Sequence, residues 1–342
     1  MKQINQDKYL LSFFVALALV VVFLMFAQIS PDFSGKLGQI SLRKDTQRAS
    51  ADVKDIEAES FVLAGNVQKG IDLSASGGSF IEFKSSKELL PNNNIFTFYY
   101  AWWGNPTKDG SWIHWEQNGH TPPEDVGSNF YPQLGAYSSA EASVVAKHMQ
   151  QIKDAGIGTI IYGWWGPGSR DDKLLPMVLD EANKQGIKVA WQIEPYGGRS
   201  ISTINRDIRY LYDTYGSHPA FFKTIKQTRY GNSQNPRGLF FVYDSSAIPA
   251  SHWIFLLDRL HLDPLYNPIL VGNSNDACRI DGCNELTSHF DGLYGYNVAG
   301  HDDDNFGYFN DEAKKRDSFY IASVGPGFDA SRATSNNNVL PR

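Results

Sequence analysis

The residue best placed to do chemistry is Glu194, in the stretch QIEPYGGR. It closes a short apolar run and precedes Pro195, which biases the residue before it towards an extended backbone. A carboxyl group fixed at a strand end in this way can hold or release a proton, or grip sugar hydroxyls. A salt bridge with Arg199 is the plainer alternative. Asp244 in VYDSS stands at a strand end and suits either a site or a structural role, whereas Asp291 in FDGLYGY stands at a strand start and reads as a cap or turn residue. Seven of the eight tryptophans fall between positions 102 and 191. Trp102, Trp103, Trp112 and Trp115 are close together, and Trp164 and Trp165 end a second apolar run. Indole faces stack on the apolar faces of pyranose rings, though large aromatics also fill cores. Side chains alternate along a strand, so one member of each Trp-Trp pair should face a cleft and the other a helix. His114, in SWIHWEQ, is set to bond a sugar hydroxyl or to serve structure alone. His148 belongs to a helix, where burial or a solvent face is expected. No H-x-H, H-E-x-x-H, P-loop or nucleophile elbow occurs. In HDDDNFGYFNDE, Phe306 and Ala313 fall where a calcium loop needs ligands. No metal or cofactor is therefore expected. Glycoside hydrolysis normally takes two carboxylates, and only Glu194 is persuasive.

These residues need a scaffold that gathers strand ends. Seven apolar runs, at 95–102, 159–165, 188–194, 239–245, 268–273, 291–296 and 318–324, alternate with helical patterns. They are near-continuous rather than alternating, as parallel strands covered on both faces are. SAEASVVAKHMQQIKDAG predicts a helix capped by Ser139 and stopped by Gly156, and LLPMVLDEANKQG one that stops at Gly186. Each strand run finishes in a polar or Gly-rich loop, which suits the C-terminal face of a (β/α)8 barrel. A doubly wound open sheet is the alternative, but no G-x-G-x-x-G follows the first strand. The seventh strand leaves 18 residues that carry neither a strand nor a helix pattern. The eighth unit is thus expected beyond Arg342, and the barrel as given reads as incomplete.

Residues 1–8 read as a short tail, 9–29 as a transmembrane signal-anchor, 30–94 as a stem and 95–342 as the barrel domain. The anchor reading rests on 21 uncharged residues from Tyr9 to Ile29, enough to cross a bilayer as one helix. It implies a single-pass type II protein with its domain lumenal or exoplasmic, in a Golgi membrane or a bacterial cytoplasmic membrane facing the periplasm. FVLAGNV and SFIEF could add one or two short strands to the stem. A formal charge of −6 without a basic stripe excludes nucleic acid as a partner. Cys278 and Cys283 could close a small disulfide loop or remain thiols.

The strings FTFYYAWWGNP, WIHW, PPEDVGSNFYPQLGAYSS, QIEPYGGR, TYGSHPAFF, FVYDSS, FDGLYGY and SVGPGFDASR, in order from Ile95 to Arg342, resemble glycoside hydrolase family 99, the endo-α-1,2-mannosidases. The resemblance implies a (β/α)8 barrel that cuts inside α-mannosyl chains with retention, one carboxylate deprotonating the substrate's own 2-hydroxyl and another protonating the leaving oxygen. It places Glu194 and Tyr196 among the residues lining the sugar subsites. His114 and Tyr296 match pocket positions, Trp165 matches a contact to the neighbouring sugar, and Arg332 lies in the loop after SVGPG. Trp103 and Asp244 are carried as further candidates for binding substrate. WWGPG departs from the Trp-Tyr-Pro-Pro-Gly of the animal enzymes, and the resemblance then admits a mannose-capped as well as a glucose-capped substrate. The family's catalytic glutamates stand in Glu-Trp-His-Glu-Gly, a motif found nowhere in this sequence. No catalytic residue is therefore assigned in this chain, and a catalytically silent, membrane-tethered α-mannoside-binding protein is the alternative function.

Overall fold

The computed structural model describes residues 22–25, 67–71, 79–83, 90–230, 235–273, 288–296, 303–325, 328–334 and 339–340. In chain order the strands are β1 (Val22–Met25), β2 (Val67–Ile71), β3 (Ser79–Phe83), β4 (Asn92–Tyr99), β5 (Ile157–Trp164), β6 (Lys188–Ile193), β7 (Lys223–Thr224), β8 (Arg237–Val242), β9 (Ile269–Asn273), β10 (Gly292–Tyr294), β11 (Phe319–Val324), β12 (Phe328–Asp329) and β13 (Val339–Leu340). The helices are α1 (Pro106–Asp109), α2 (Ala142–Asp154), α3 (Arg170–Lys184), α4 (Ile201–Tyr215), α5 (Ala250–Leu260) and α6 (Asp303–Lys314).

Two compact units divide the chain, one of residues 27–89 and one holding residues 1–26 with 90–342. In the smaller unit, β2 and β3 form an antiparallel hairpin in the register Val67↔Phe83 to Ile71↔Ser79. The SFIEF run is thus a strand, as expected.

In the larger unit, β4, β5, β6, β8, β9, β10 and β11 pair in parallel, each with the next. They are the seven strands that the apolar runs predict, curled in the manner of a TIM barrel. All eight residues of β5 and all six of β8 are buried, because the sheet is packed on both sides. Phe96, Phe98, Ile161, Leu239, Phe241 and Ile321 fill its inside. Alternate residues such as Tyr162, Trp191 and Phe240 pack outwards among α-helical side chains such as Leu179 and Leu211.

Four expectations are corrected. Within the run read as a transmembrane helix, Val22–Met25 is extended and lies antiparallel between β4 and β11. An apolar run alone does not separate strand from helix, and two adjacent sheet edges offer it backbone partners. Residues 9–21 and 26–29 lie outside the described residues, and no helix among the described residues is long and apolar enough to cross a membrane. The helix expected to start at Ser139 starts at Ala142 instead, with Glu141 at its N-cap. The Ser139 N–H is used elsewhere, donating to the Trp103 carbonyl at 2.9 Å. The tail after β11 holds a two-residue ladder, Phe328↔Leu340 and Asp329↔Val339, too short to leave an apolar pattern.

Asp291 is the fourth. It is fully buried at the start of β10 and accepts hydrogen bonds from Thr228 Oγ1 at 2.6 Å and the Leu270 N–H at 2.9 Å. Arg237 and His261 lie 3.5 and 3.2 Å from its carboxylate. A turn residue would be solvated; this one ties β8, β9 and β10 together at their N-terminal ends. Cys278 and Cys283 fall outside the described residues.

Candidate active site

The C-terminal ends of the strands carry the polar groups. Along β6, Ala190 packs inside the sheet while Trp191 and Ile193 pack outside. Alternation then sends Gln192 and Glu194 inwards. Glu194 is 4% exposed and Gln192 fully buried. Gln192 Nε2 donates to Glu194 Oε1 at 2.7 Å and to the Tyr100 hydroxyl at 3.3 Å, and its Oε1 accepts from the Tyr294 hydroxyl at 3.1 Å. The hydroxyls of Tyr100 and Tyr296 are 2.9 Å apart.

Burial pushes the Glu194 carboxyl up to about 8. The Asp171 charge adds to this, while the Gln192 hydrogen bond and the Arg199 charge oppose it. At neutral pH the group is a carboxylic acid. No Glu194–Arg199 salt bridge forms: Arg199 spends its guanidinium on the carbonyls of Ile193, Tyr243 and Asp244. It thereby clamps the ends of β6 and β8.

Above this network the aromatics stack. Tyr100 lies on Trp102 with ring centroids 4.4 Å apart and planes 14° apart, and Trp102 on His114 at 4.7 Å and 26°. His114 has a left-handed backbone, φ +61°. Burial, and then the Arg170 charge, hold its imidazole down at about 4, so it is neutral near pH 7. Trp103 points the other way, buried against Trp115 with centroids 4.1 Å apart. Arg170 braces this loop by donating to the Ala101 and Trp103 carbonyls at 2.8 and 2.9 Å and pairing with Asp109 at 2.7 Å. The second pair divides likewise. Trp164 is buried, its Nε1 donating to Asp172 Oδ1 at 3.0 Å, and Trp165 is half-buried.

The other candidates spread out. Tyr296 sits edge-on to Tyr243 at 4.7 Å, inside the network. The Tyr196 hydroxyl donates to Asp207, whose carboxyl burial lifts to about 6. Asp244 has a left-handed backbone at φ +49° and joins Arg199 through its carbonyl, not its carboxylate. Arg332 ties the chain after β11 to the loop at 120–126, through the Val126 carbonyl at 3.1 Å, His120 and Asp125. His148 is turned to the outside of β4, where its Nδ1 lies 3.2 Å from the Tyr99 hydroxyl. It borders a cavity of about 310 Å³ between β4 and α2. Among the described residues, no group of three or more metal-ligating side chains converges.

Sequence reasoning missed Gln192, Tyr100, Tyr294 and Asp171. Gln192 was legible as a polar residue two before Glu194 in an apolar run; Asp171 carried no such signal.

An acid that is protonated at neutral pH, ringed by tyrosine hydroxyls beneath an aromatic stack, suits a neutral polyhydroxylated ligand. The comparisons with known proteins agree. Residues 90–340 match the model of glycosyl hydrolase family 99. The chain belongs to that family. It is 36% identical over 298 residues to the glycoprotein endo-alpha-1,2-mannosidase of Mus musculus, a match covering 75% of this chain and 62% of that protein. It is 34% identical over 296 residues to the Homo sapiens glycoprotein endo-alpha-1,2-mannosidase-like protein, with the same two coverages. The chain thus spans about three fifths of the length of these family 99 relatives, at 62% in each. The solved family 99 endo-alpha-mannosidase of Bacteroides thetaiotaomicron superposes with a TM-score of 0.62 at 32% identity, covering 71% of this chain and 74% of that one.

Proposed function

We propose that this site serves an endo-acting, retaining α-mannosidase that cleaves internal α-1,2-mannosidic linkages of N-glycans or α-mannan with help from the substrate's own 2-hydroxyl. One observation carries the reading: the buried Glu194 carboxyl, set by Gln192 among Tyr100, Tyr294 and Tyr296 beneath the Tyr100–Trp102–His114 stack. Mannose hydroxyls fit the polar floor and a pyranose face fits the stack. The WWGPG loop supports a mannose-capped as well as a glucose-capped substrate. The test is to incubate the protein with reducing-end-labelled α-mannan oligosaccharides and follow binding and disaccharide release separately. Tight binding with release of an α-configured disaccharide supports the reading. Binding without release supports the second reading, an α-mannoside-binding protein. That alternative is favoured by the hydrogen-bonded floor, which contains one carboxyl group, not a pair.

We further propose membrane attachment through residues 9–29, with the domain at 95–342 on the lumenal or exoplasmic side and its seven parallel strands belonging to a (β/α)8 barrel. The uncharged run supports attachment, and the pairing of Val22–Met25 with β4 and β11 competes with it. Extraction of membranes with alkaline carbonate separates them: retention in the pellet supports attachment, and release into the supernatant refutes it.

A further inference from the structure

We infer that Gln192 is the positioning residue of this site: its amide, turned by Tyr294, fixes the Glu194 carboxyl and the Tyr100 hydroxyl against each other and directs two hydrogen-bond donors, Glu194 Oε2–H and Tyr296 O–H, at the ligand. The argument is an inventory of protons. Tyr294 donates to Gln192 Oε1 at 3.1 Å, so both Nε2 protons remain for the other side. They go to Glu194 Oε1 at 2.7 Å and to the Tyr100 oxygen at 3.3 Å. Because Oε1 already accepts, the acid proton of Glu194 belongs on Oε2, for which no protein partner occurs among the described residues. Because the Tyr100 oxygen accepts from the amide, its own proton points to the Tyr296 oxygen 2.9 Å away, and the Tyr296 proton is left over. An amide has fixed donor and acceptor ends, so a single buried side chain sets the direction of the whole chain of bonds.

The consequence is a ligand class. Two donors left unspent by the protein call for uncharged oxygen acceptors, such as the hydroxyl and ring oxygens of a neutral sugar. A cationic amino sugar would find no counter-charge here while Glu194 keeps its proton. The inference rests on the α-mannoside reading only for the name of that sugar. The charged and titratable groups facing Glu194 are Tyr100, Tyr243, Tyr294, Tyr296, Arg199 and Asp171. None of these is altered in the test.

Infrared titration of the protonated carboxyl band reads the role without any ligand. Loss of the band in Glu194→Gln assigns it. In Gln192→Met, which keeps the volume and removes the donor, the Glu194 midpoint should rise by about one pH unit or more, because a hydrogen bond to the ionised form is lost. Gln192→Asn, whose shorter amide does not reach, should move it in the same direction and serves where the Met variant fails to fold. A midpoint unchanged in a folded variant overturns the inference, even if stability falls. In a parallel titration with α-1,2-mannobiose, wild-type affinity should hold below pH 7 and weaken about tenfold or more as Glu194 ionises. Absence of any mannobiose binding by wild type, with the midpoint shift present, sinks the α-mannoside reading and leaves the positioning role standing.

Discussion

Glu194 keeps its proton to about pH 8, against an ordinary glutamate value of 4.5. Between those values the folded chain binds more protons than the unfolded one, so this group's contribution is fully present below pH 4.5 and is lost as pH rises through 8. Glu194→Gln keeps the shape and cannot ionise. It should therefore gain stability over wild type as pH rises, by roughly 2–4 kcal/mol at pH 8 relative to pH 5. Urea unfolding at both pH values checks this, and a difference that stays constant with pH contradicts it. Gly163 is equally decisive by its lack of a side chain. A Cβ there would stand 2.6 Å from Tyr100 Cδ1 and 3.0 Å from Glu194 Oε1. Gly163→Ala must displace the Tyr100 ring and with it the bond to Tyr296. Overpacking of this kind costs about 1–3 kcal/mol, visible as a lowered melting temperature. Loss of mannobiose affinity should accompany it.

At the scale of elements, the strands were the legible part. β5 and β8 are buried throughout because they are covered on both faces, and their largely apolar composition marks them in the sequence. Each Trp-Trp pair is split as alternation suggested, but Trp102 and Trp103 lie beyond the end of β4, and Trp103 packs on Trp115 of the loop rather than on a helix. What the sequence hid depends on contacts between distant segments. The true start of α2 is set by the bond from Ser139 to Trp103, and the place of Val22–Met25 by two strand edges far along the chain. Asp291 looked like a turn residue because its partners Thr228, Arg237 and His261 lie 30 to 63 positions away. Removing it by Asp291→Ala would strand Arg237 as a buried charge, and breaking such a pair costs about 3–5 kcal/mol. Chemical denaturation measures that loss. Arg170 is the brace of the aromatic loop. Arg170→Met should leave the sheet intact but release the Ala101 and Trp103 carbonyls, so limited proteolysis should cut within residues 104–126 faster than in wild type. An unchanged cleavage pattern would show that the loop holds itself.

For the whole molecule, membership of family 99 was readable from long motifs spread over 95–342, and the curled sheet bears out the parallel strands expected from βα order. The site was readable only in outline. Glu194, Tyr296, His114 and Trp165 were named by motif, but the buried amide that bonds Glu194, Tyr100 and Tyr294 emerges from geometry. Several candidates stand apart from the Glu194 network: Trp103 lies behind the stack, Tyr196 bonds Asp207, and Arg332 is engaged with the loop at 120–126. Asp244 contributes to it only through the carbonyl that Arg199 holds. The proposed function stands on recognition of α-mannosides at this site. Its most direct test is calorimetric titration of the wild-type protein with α-1,2-linked mannose oligosaccharides near pH 6.5, beside Trp102→Ala, which removes the middle of the aromatic stack. Saturable binding by wild type, weakened at least about tenfold in the variant, is the predicted result. No binding of any α-mannoside, or binding that ignores the loss of Trp102, would contradict it.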